Sequence, residues 1–151
     1  MNIVSTQFTL EHNSLDIYIA GCAGQPKCVG CHNEELWDFN AGKPYTEWLP
    51  AILEKIKSFN NLIDNVMVFG GEPLDQNIDD LVDFLKKLKA TGKKIWVFTR
   101  LNLQDVPDIV IENLDYIKTG RYLPELKTDN NIQFGIKLAT SNQNIWSVCN
   151  G

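Results

Sequence analysis

The chain has 151 residues, 44% of them hydrophobic, with 14 Lys+Arg against 19 Asp+Glu for a formal net charge of −5. That length predicts about one domain, residues 1–151 as a single unit, able to bury a core but short of a complete eight-stranded α/β barrel, which takes ~250 residues. The acidic balance and the lack of a basic tract remove the electrostatic case for nucleic-acid binding, and no apolar run approaches the ~18 residues of a membrane span. No leader peptide is read, so the expectation is a soluble cytoplasmic protein whose thiols stay reduced.

Ile3 to Leu10 reads as an edge strand and Glu11-His12-Asn13 as the turn after it. From Ser14, Leu15/Ile17/Ile19 alternate with Asp16/Tyr18, the period of a strand. A cysteine loop follows its carboxyl end, and in parallel α/β sheets that edge is where ligands bind. After the breaker Gly42-Lys43-Pro44, Thr46 is expected to cap a helix with the apolar stripe Leu49, Ile52, Leu53, Ile56 and Phe59, with Pro50 in its first turn. Val66-Met67-Val68-Phe69 is a continuous apolar run, the pattern of a strand buried on both faces, and it leads into Gly70-Gly71-Glu72-Pro73. Asn77 caps a second helix striped by Ile78, Leu81, Val82, Leu85 and Leu88, with Lys86, Lys87 and Lys89 near its carboxyl end, where they complement the helix dipole.

Thr91-Gly92 stops that helix, Ile95-Trp96-Val97-Phe98 repeats the buried-strand pattern, and a shorter helix from Pro107 to Glu112 leads to Tyr116-Ile117. Strand alternating with helix predicts a mostly parallel sheet. The tail from Ile132 to Val148 changes character, with Ile132, Phe134, Ile136 and Leu138 alternating before the polar Thr140-Ser141-Asn142-Gln143.

Three of the four cysteines, Cys22, Cys28 and Cys31, fall within ten residues. A disulfide framework suits short secreted chains with spread cysteines. Structural zinc would use Cys28-x-x-Cys31 as half of a site, completed by His32 or Cys149, but a second paired motif is missing. An iron–sulfur cluster needs several closely spaced thiolates, and a cubane with only three leaves one iron open to a ligand. Gly70-Gly71-Glu72-Pro73, taken alone, is a tight strand-to-helix turn.

Gly21-Cys22, Cys28-Val29-Gly30-Cys31-His32-Asn33 and Trp37 resemble the cluster loop of the radical S-adenosylmethionine (SAM) enzymes, nearest to the glycyl-radical activases. That family places three residues between the first two cysteines, and this chain places five. Gly70-Gly71-Glu72 resembles the family turn that takes the amino group of SAM. Thr119-Gly120-Arg121-Tyr122, Glu125-Leu126 and Ala139-Thr140-Ser141-Asn142-Gln143 resemble the closing segment of the anaerobic ribonucleotide reductase activating enzymes, with Thr119 in place of an acid and Ala139-Thr140 in place of Gly-Ser.

The resemblance spans about residues 14 to 146 and implies a partial (βα) barrel of the radical SAM type, with cluster loop 22–31, SAM-binding turn 70–73 and closing tail 132–148. It implies Cys22, Cys28 and Cys31 as ligands of a [4Fe-4S] cluster, and His32, Asn33, Gly70, Gly71, Glu72, Thr99 and Arg100 as the SAM-side residues. It implies reductive cleavage of SAM to methionine and a 5′-deoxyadenosyl radical, and abstraction by that radical of a hydrogen atom from a glycine of the reductase large subunit, with a one-electron donor such as flavodoxin or ferredoxin. A short, open barrel leaves room for such a protein loop. The alternatives are an activase of a pyruvate formate-lyase-like partner, a small radical SAM enzyme of deazapurine biosynthesis, a paralogue that holds the cluster without turnover, and a zinc-bound interaction module. Cys149 is expected to be a structural or free thiol.

Overall fold

The computed structural model describes residues 1–25, 27 and 34–148. Alternating apolar residues form the antiparallel pair β1 (Asn2–Thr9) and β2 (Ser14–Ile19), joined by a 3-10 turn at Leu10–His12 and by Asn13 at φ 48, a left-handed conformation that Asn tolerates. The chain continues through β3 (Lys43–Pro44), α1 (Tyr45–Ser58), β4 (Asn65–Gly70), α2 (Ile78–Lys89), β5 (Lys94–Phe98), α3 (Asp108–Ile111) and β6 (Tyr116–Thr119), then β7 (Ile132–Gln133), β8 (Ile136–Lys137) and β9 (Asn144–Ser147).

Seven strands make one sheet in the order β3-β1-β2-β4-β5-β6-β9, and β7 pairs with β8 apart from it. β2, β4, β5 and β6 are mutually parallel, with antiparallel pairing only towards the two edges. This mixed α/β architecture on a mostly parallel sheet is the one that the alternation of apolar runs and amphipathic stretches predicts.

Side-chain alternation gives the sheet two unlike faces. Leu15, Ile17, Ile19, Val66, Val68, Ile95, Val97 and Ile117 point to the helices and join Ile52, Ile56, Leu81, Phe84, Leu85, Leu88 and Val110 in the main core. Burying each such side chain contributes roughly 1.5–3 kcal/mol. The opposite face carries a row of aromatic rings, Tyr18, Phe69, Phe98, Trp96 and Tyr116, in successive stacked contacts with centroids 4.1–6.4 Å apart. Met67, Leu138 and Ile145 pack with Trp96 in a smaller second core on that side. Burial and then the charge of Asp16 raise the pKa of the Tyr18 phenol.

Several expectations about helix detail are corrected. α1 begins at Tyr45 and is preceded by Pro44, with no side-chain cap, rather than being capped by Thr46. The amide of Tyr45 donates instead to the Met1 carbonyl (2.9 Å), so the β1–β3 pairing delivers the chain into the helix. Pro50 therefore lies inside α1, beyond the first turn, where it costs the hydrogen bond to the Thr46 carbonyl. Phe59 sits past the end of α1 and is 51% exposed, while Phe84, absent from the expected α2 stripe, is fully buried and Ile78 is on the rim. Asn77 does cap α2, its side chain accepting from the Asp80 amide (3.1 Å). In the tail, Phe134 (φ 49) and Gly135 (φ 77) turn the chain between β7 and β8 into a hairpin.

Tyr45 ties α1 to α2. Its hydroxyl donates to Asp83 (2.9 Å) and its ring meets Phe84 edge-on at 5.8 Å. Burial, with the bond to Asp83 and its charge, pushes the Tyr45 pKa up to about 12. The folded pKa exceeds the unfolded value of ~10, so the stabilisation is complete below pH ~10 and is lost as pH rises through the folded pKa. Tyr45→Phe is expected to cost about 1 kcal/mol at neutral pH and to flatten the loss of stability above pH ~10, checked by urea unfolding at a series of pH values.

Candidate functional site

The site is built where β2, β4 and β5 end side by side. Ile19 pairs with Gly70, and the chain of β4 turns there, with Gly70 at φ 136 and its amide neighbour Gly71 donating to the Ile19 carbonyl (2.9 Å). The Glu72 amide donates to the Gly21 carbonyl (2.8 Å), so the Gly-Gly-Glu turn is stitched to the segment that enters Cys22. Gln76 adds a second stitch, its Nε2 donating to the carbonyls of Ala20 (2.9 Å), Gly21 (3.2 Å) and Glu72 (3.1 Å). From the other side, the amides of Gly21 and Cys22 donate to the carbonyls of Leu36 (2.7 Å) and Trp37 (3.2 Å).

The tightness of this junction explains its glycines. A Cβ on Gly71 would lie 2.5 Å from the Leu36 carbonyl oxygen and against that of Gly21, both backbone atoms that cannot swing away. Gly71→Ala is expected to lower stability by about 1–3 kcal/mol, read as a lower urea midpoint, with faster amide exchange at Gly21 and Cys22.

Glu72 is the hub, 2% exposed. Its Oε1 accepts from the Leu74 amide (3.0 Å) and the Thr99 hydroxyl (2.6 Å), and its Oε2 accepts from the Arg100 amide (2.8 Å) and lies 3.3 Å from Arg100 Nη1. A carboxylate offers roughly four acceptor positions, and three hydrogen bonds and one ion-pair contact fall on this one. Thr99, also 2% exposed, accepts in turn from the Leu101 amide (3.1 Å).

Arg100 reaches across to Asp75, with Nη2 at 3.2 Å from Oδ1 and Nη1 at 3.0 Å from Oδ2. Burial works against its charge, but the bond to Asp75 and the negative charges of Glu72, Asp75 and Cys22 hold its pKa above the ordinary arginine value. Among the described residues, buried Nη1 has no aligned hydrogen-bond acceptor.

Cys22 is a free, half-buried thiol at this edge. Lys27 donates to its carbonyl and lies over the Trp37 ring, 5.2 Å from the centroid. The sulfur donor of Cys22 and a guanidinium nitrogen held by charge alone, without an aligned hydrogen bond among the described residues, fit an anionic metal–sulfur group at this corner. Cys28, Cys31, His32, Asn33 and Cys149 lie outside the described residues, and among the described residues no three His, Cys, Asp or Glu side chains are gathered to hold a metal.

The structure thus brings Cys22, Gly70, Gly71, Glu72, Thr99 and Arg100 into one network. Asp75 and Gln76 belong to it and were not singled out from sequence; their only signal there is their position just after the Gly-Gly-Glu turn. Thr140 and Gln143 are buried at 0% and 5%, with Gln143 Oε1 accepting from the Ala139 (3.1 Å) and Thr140 (3.2 Å) amides and Nε2 donating to the Gly120 carbonyl (3.3 Å). Asn142 donates to the Arg121 carbonyl (2.9 Å), so this segment closes over the end of β6. None of the helices among the described residues is long and apolar enough to cross a membrane.

Comparison with known proteins accords with the cysteine-bearing edge. The anaerobic ribonucleoside-triphosphate reductase-activating protein of Pasteurella multocida is 32% identical over 100 residues, which cover 64% of this chain and 62% of that protein. Residues 14–146, from the start of β2 into β9, match the family described as the 4Fe-4S single cluster domain. A match of that extent settles membership: the chain belongs to the 4Fe-4S single cluster domain family.

Proposed function

We propose that this protein is a radical SAM activase that generates a glycyl radical on an anaerobic (class III) ribonucleotide reductase. The observation that carries the reading is the joining of the Gly70-Gly71-Glu72 turn to the Gly21-Cys22 segment at the carboxyl edge of the parallel strands. The relative named as an anaerobic reductase-activating protein supports the choice of partner.

In this reading the chain is one domain, folded as a partial (βα) barrel of the radical SAM type and working in the cytoplasm. Cys22, Cys28 and Cys31 hold the [4Fe-4S] cluster. When bound there, the cluster would supply the electron for reductive cleavage of SAM, the chemistry that a glycyl-radical activase needs. The chain's own residues bind and orient. Gly70 and Gly71 let the turn close against the backbone of Ile19, Gly21 and Leu36, and the turn so formed, with the negative charge of Glu72, takes the ligand's ammonium. Glu72 keeps the turn, Thr99 and Arg100 in fixed relation through its carboxylate. Arg100 supplies positive charge for the ligand carboxylate, and His32 and Asn33 are the residues assigned to the adenine. Flavodoxin or ferredoxin is the electron donor.

The test is anaerobic reconstitution of the full chain, reduction with dithionite, addition of SAM, and quantification of 5′-deoxyadenosine with iron and sulfide. About four irons per chain with deoxyadenosine formation is expected. Zinc in place of iron, or a filled cluster without cleavage, would instead favour an interaction module or a paralogue without turnover.

A further inference from the structure

The path of the chain just after Cys22 is fixed by two side chains from the turns that follow β4 and β5. Asp75 Oδ2 accepts from the Ala23 amide (2.8 Å), and the same oxygen lies 3.0 Å from Arg100 Nη1. Arg100 Nη2 donates to the other Asp75 oxygen (3.2 Å), so one hydrogen bond and one ion-pair contact join guanidinium and carboxylate. Gly24 is buried directly on this pair, since a Cβ there would come within 2.7 Å of Arg100 Nε. Arg100 is itself held from behind by its own amide's bond to Glu72 (2.8 Å).

We propose that Asp75 and Arg100 are positioning residues that clamp Ala23 and Gly24, and so fix Cys22 before any metal arrives. The clamp's geometry stands on the contacts above; its purpose rests on Cys22 being a cluster ligand, as in the proposed function. Five residues separate Cys22 from Cys28, and a spacer of that length adds backbone freedom that must be lost when the sulfurs gather. Docking Ala23 and Gly24 removes part of that freedom in the metal-free protein. Lys27, bonded to the Cys22 carbonyl and lying over Trp37, anchors the same spacer further on. Arg100 and Asp75 then have a defined duty of their own, distinct from contact with a bound ligand.

The test begins with metal-free, reduced full-length protein and amide hydrogen exchange. Asp75→Ala is expected to speed exchange at Ala23 by about tenfold or more, while exchange in β4 and β5 is unchanged. Asp75→Asn keeps an oxygen for the Ala23 amide but loses the charge, so it should recover part of the protection. Arg100→Lys loses the fork and should resemble Asp75→Ala. If Asp75→Ala does not fold, Gly24→Ala reads the same contact by displacing the guanidinium. After reconstitution, the variants should hold less iron per chain and show an altered electron paramagnetic resonance (EPR) spectrum of the reduced cluster.

Unchanged Ala23 exchange in both Asp75→Ala and Arg100→Lys would overturn the proposal, as would spectra and iron content equal to the wild type. Failure of the wild-type chain to take up iron would defeat the proposed function, while exchange in the metal-free protein would still decide whether the clamp exists.

Discussion

Glu72→Ala is expected to destabilise the metal-free protein by about 3–5 kcal/mol, the cost of removing one partner from a buried charged network. The carboxylate is 2% exposed and receives the Thr99 hydroxyl, the amides of Leu74 and Arg100 and the Arg100 guanidinium. Alanine would leave those donors facing a cavity rather than water. Against a total stability of about 5–15 kcal/mol for an ordinary domain, the loss is large enough to see directly as a lower urea midpoint. Glu72→Gln is expected to be only partly protective. If its oxygen serves Thr99 and Leu74, its NH2 faces the Arg100 amide and guanidinium, and if flipped it opposes the Leu74 amide. One unsatisfied buried donor costs about 1–3 kcal/mol, so the glutamine variant should fall between wild type and alanine. Equal stability of all three would contradict the hub role.

Cys22→Ser should separate chemistry from folding. Cys22 is half-buried, and its hydrogen bonds to Trp37 and Lys27 run through the backbone. The substitution is expected to leave the urea midpoint of the metal-free protein within about 0.5 kcal/mol of wild type. Loss of even an outer-shell partner of a metal ligand typically costs 10–100-fold, so removal of a proposed ligand should lower iron retention or deoxyadenosine formation by at least about a hundredfold. Iron content and product, measured on the same reconstituted sample, check this. Full iron loading with normal turnover in Cys22→Ser would remove Cys22 from the ligand set.

These two variants also mark what the sequence made legible. The strands were readable because each carries a local signal: alternation in β2, unbroken apolar runs in β4 and β5. The Asn77 cap was readable for the same reason, being a bond over three residues. Phe84 was missed because a stripe drawn through Ile78, Leu81, Val82 and Leu85 is one of two that fit the helical period, and only packing against the sheet selects the one containing Phe84. The start of α1 was misplaced because an Ile3–Lys43 strand pairing, distant in sequence, sets it.

At the site, the glycines and Glu72 stood out through their residue types, whereas Asp75 and Gln76 did not. Their partners, Ala23, Ala20 and Gly21, are more than fifty positions away and become neighbours only when β2 and β4 pair. The burial of Thr140 and Gln143 was hidden likewise, since polar residues are buried where their bonds are met, here by the Gly120 carbonyl and by the tail's own amides.

The central claim, activation of a glycyl-radical reductase, is tested most directly by EPR on the proposed pair. The reconstituted protein, reductant and SAM would be mixed anaerobically with the large subunit of the anaerobic ribonucleotide reductase. The expected result is an organic glycyl-radical signal on the reductase, accompanied by 5′-deoxyadenosine and absent when Cys22→Ser replaces the wild type. Deoxyadenosine with no radical on the reductase would contradict the choice of partner and turn attention to other glycyl-radical enzymes; no deoxyadenosine from an iron-loaded protein would contradict the account itself.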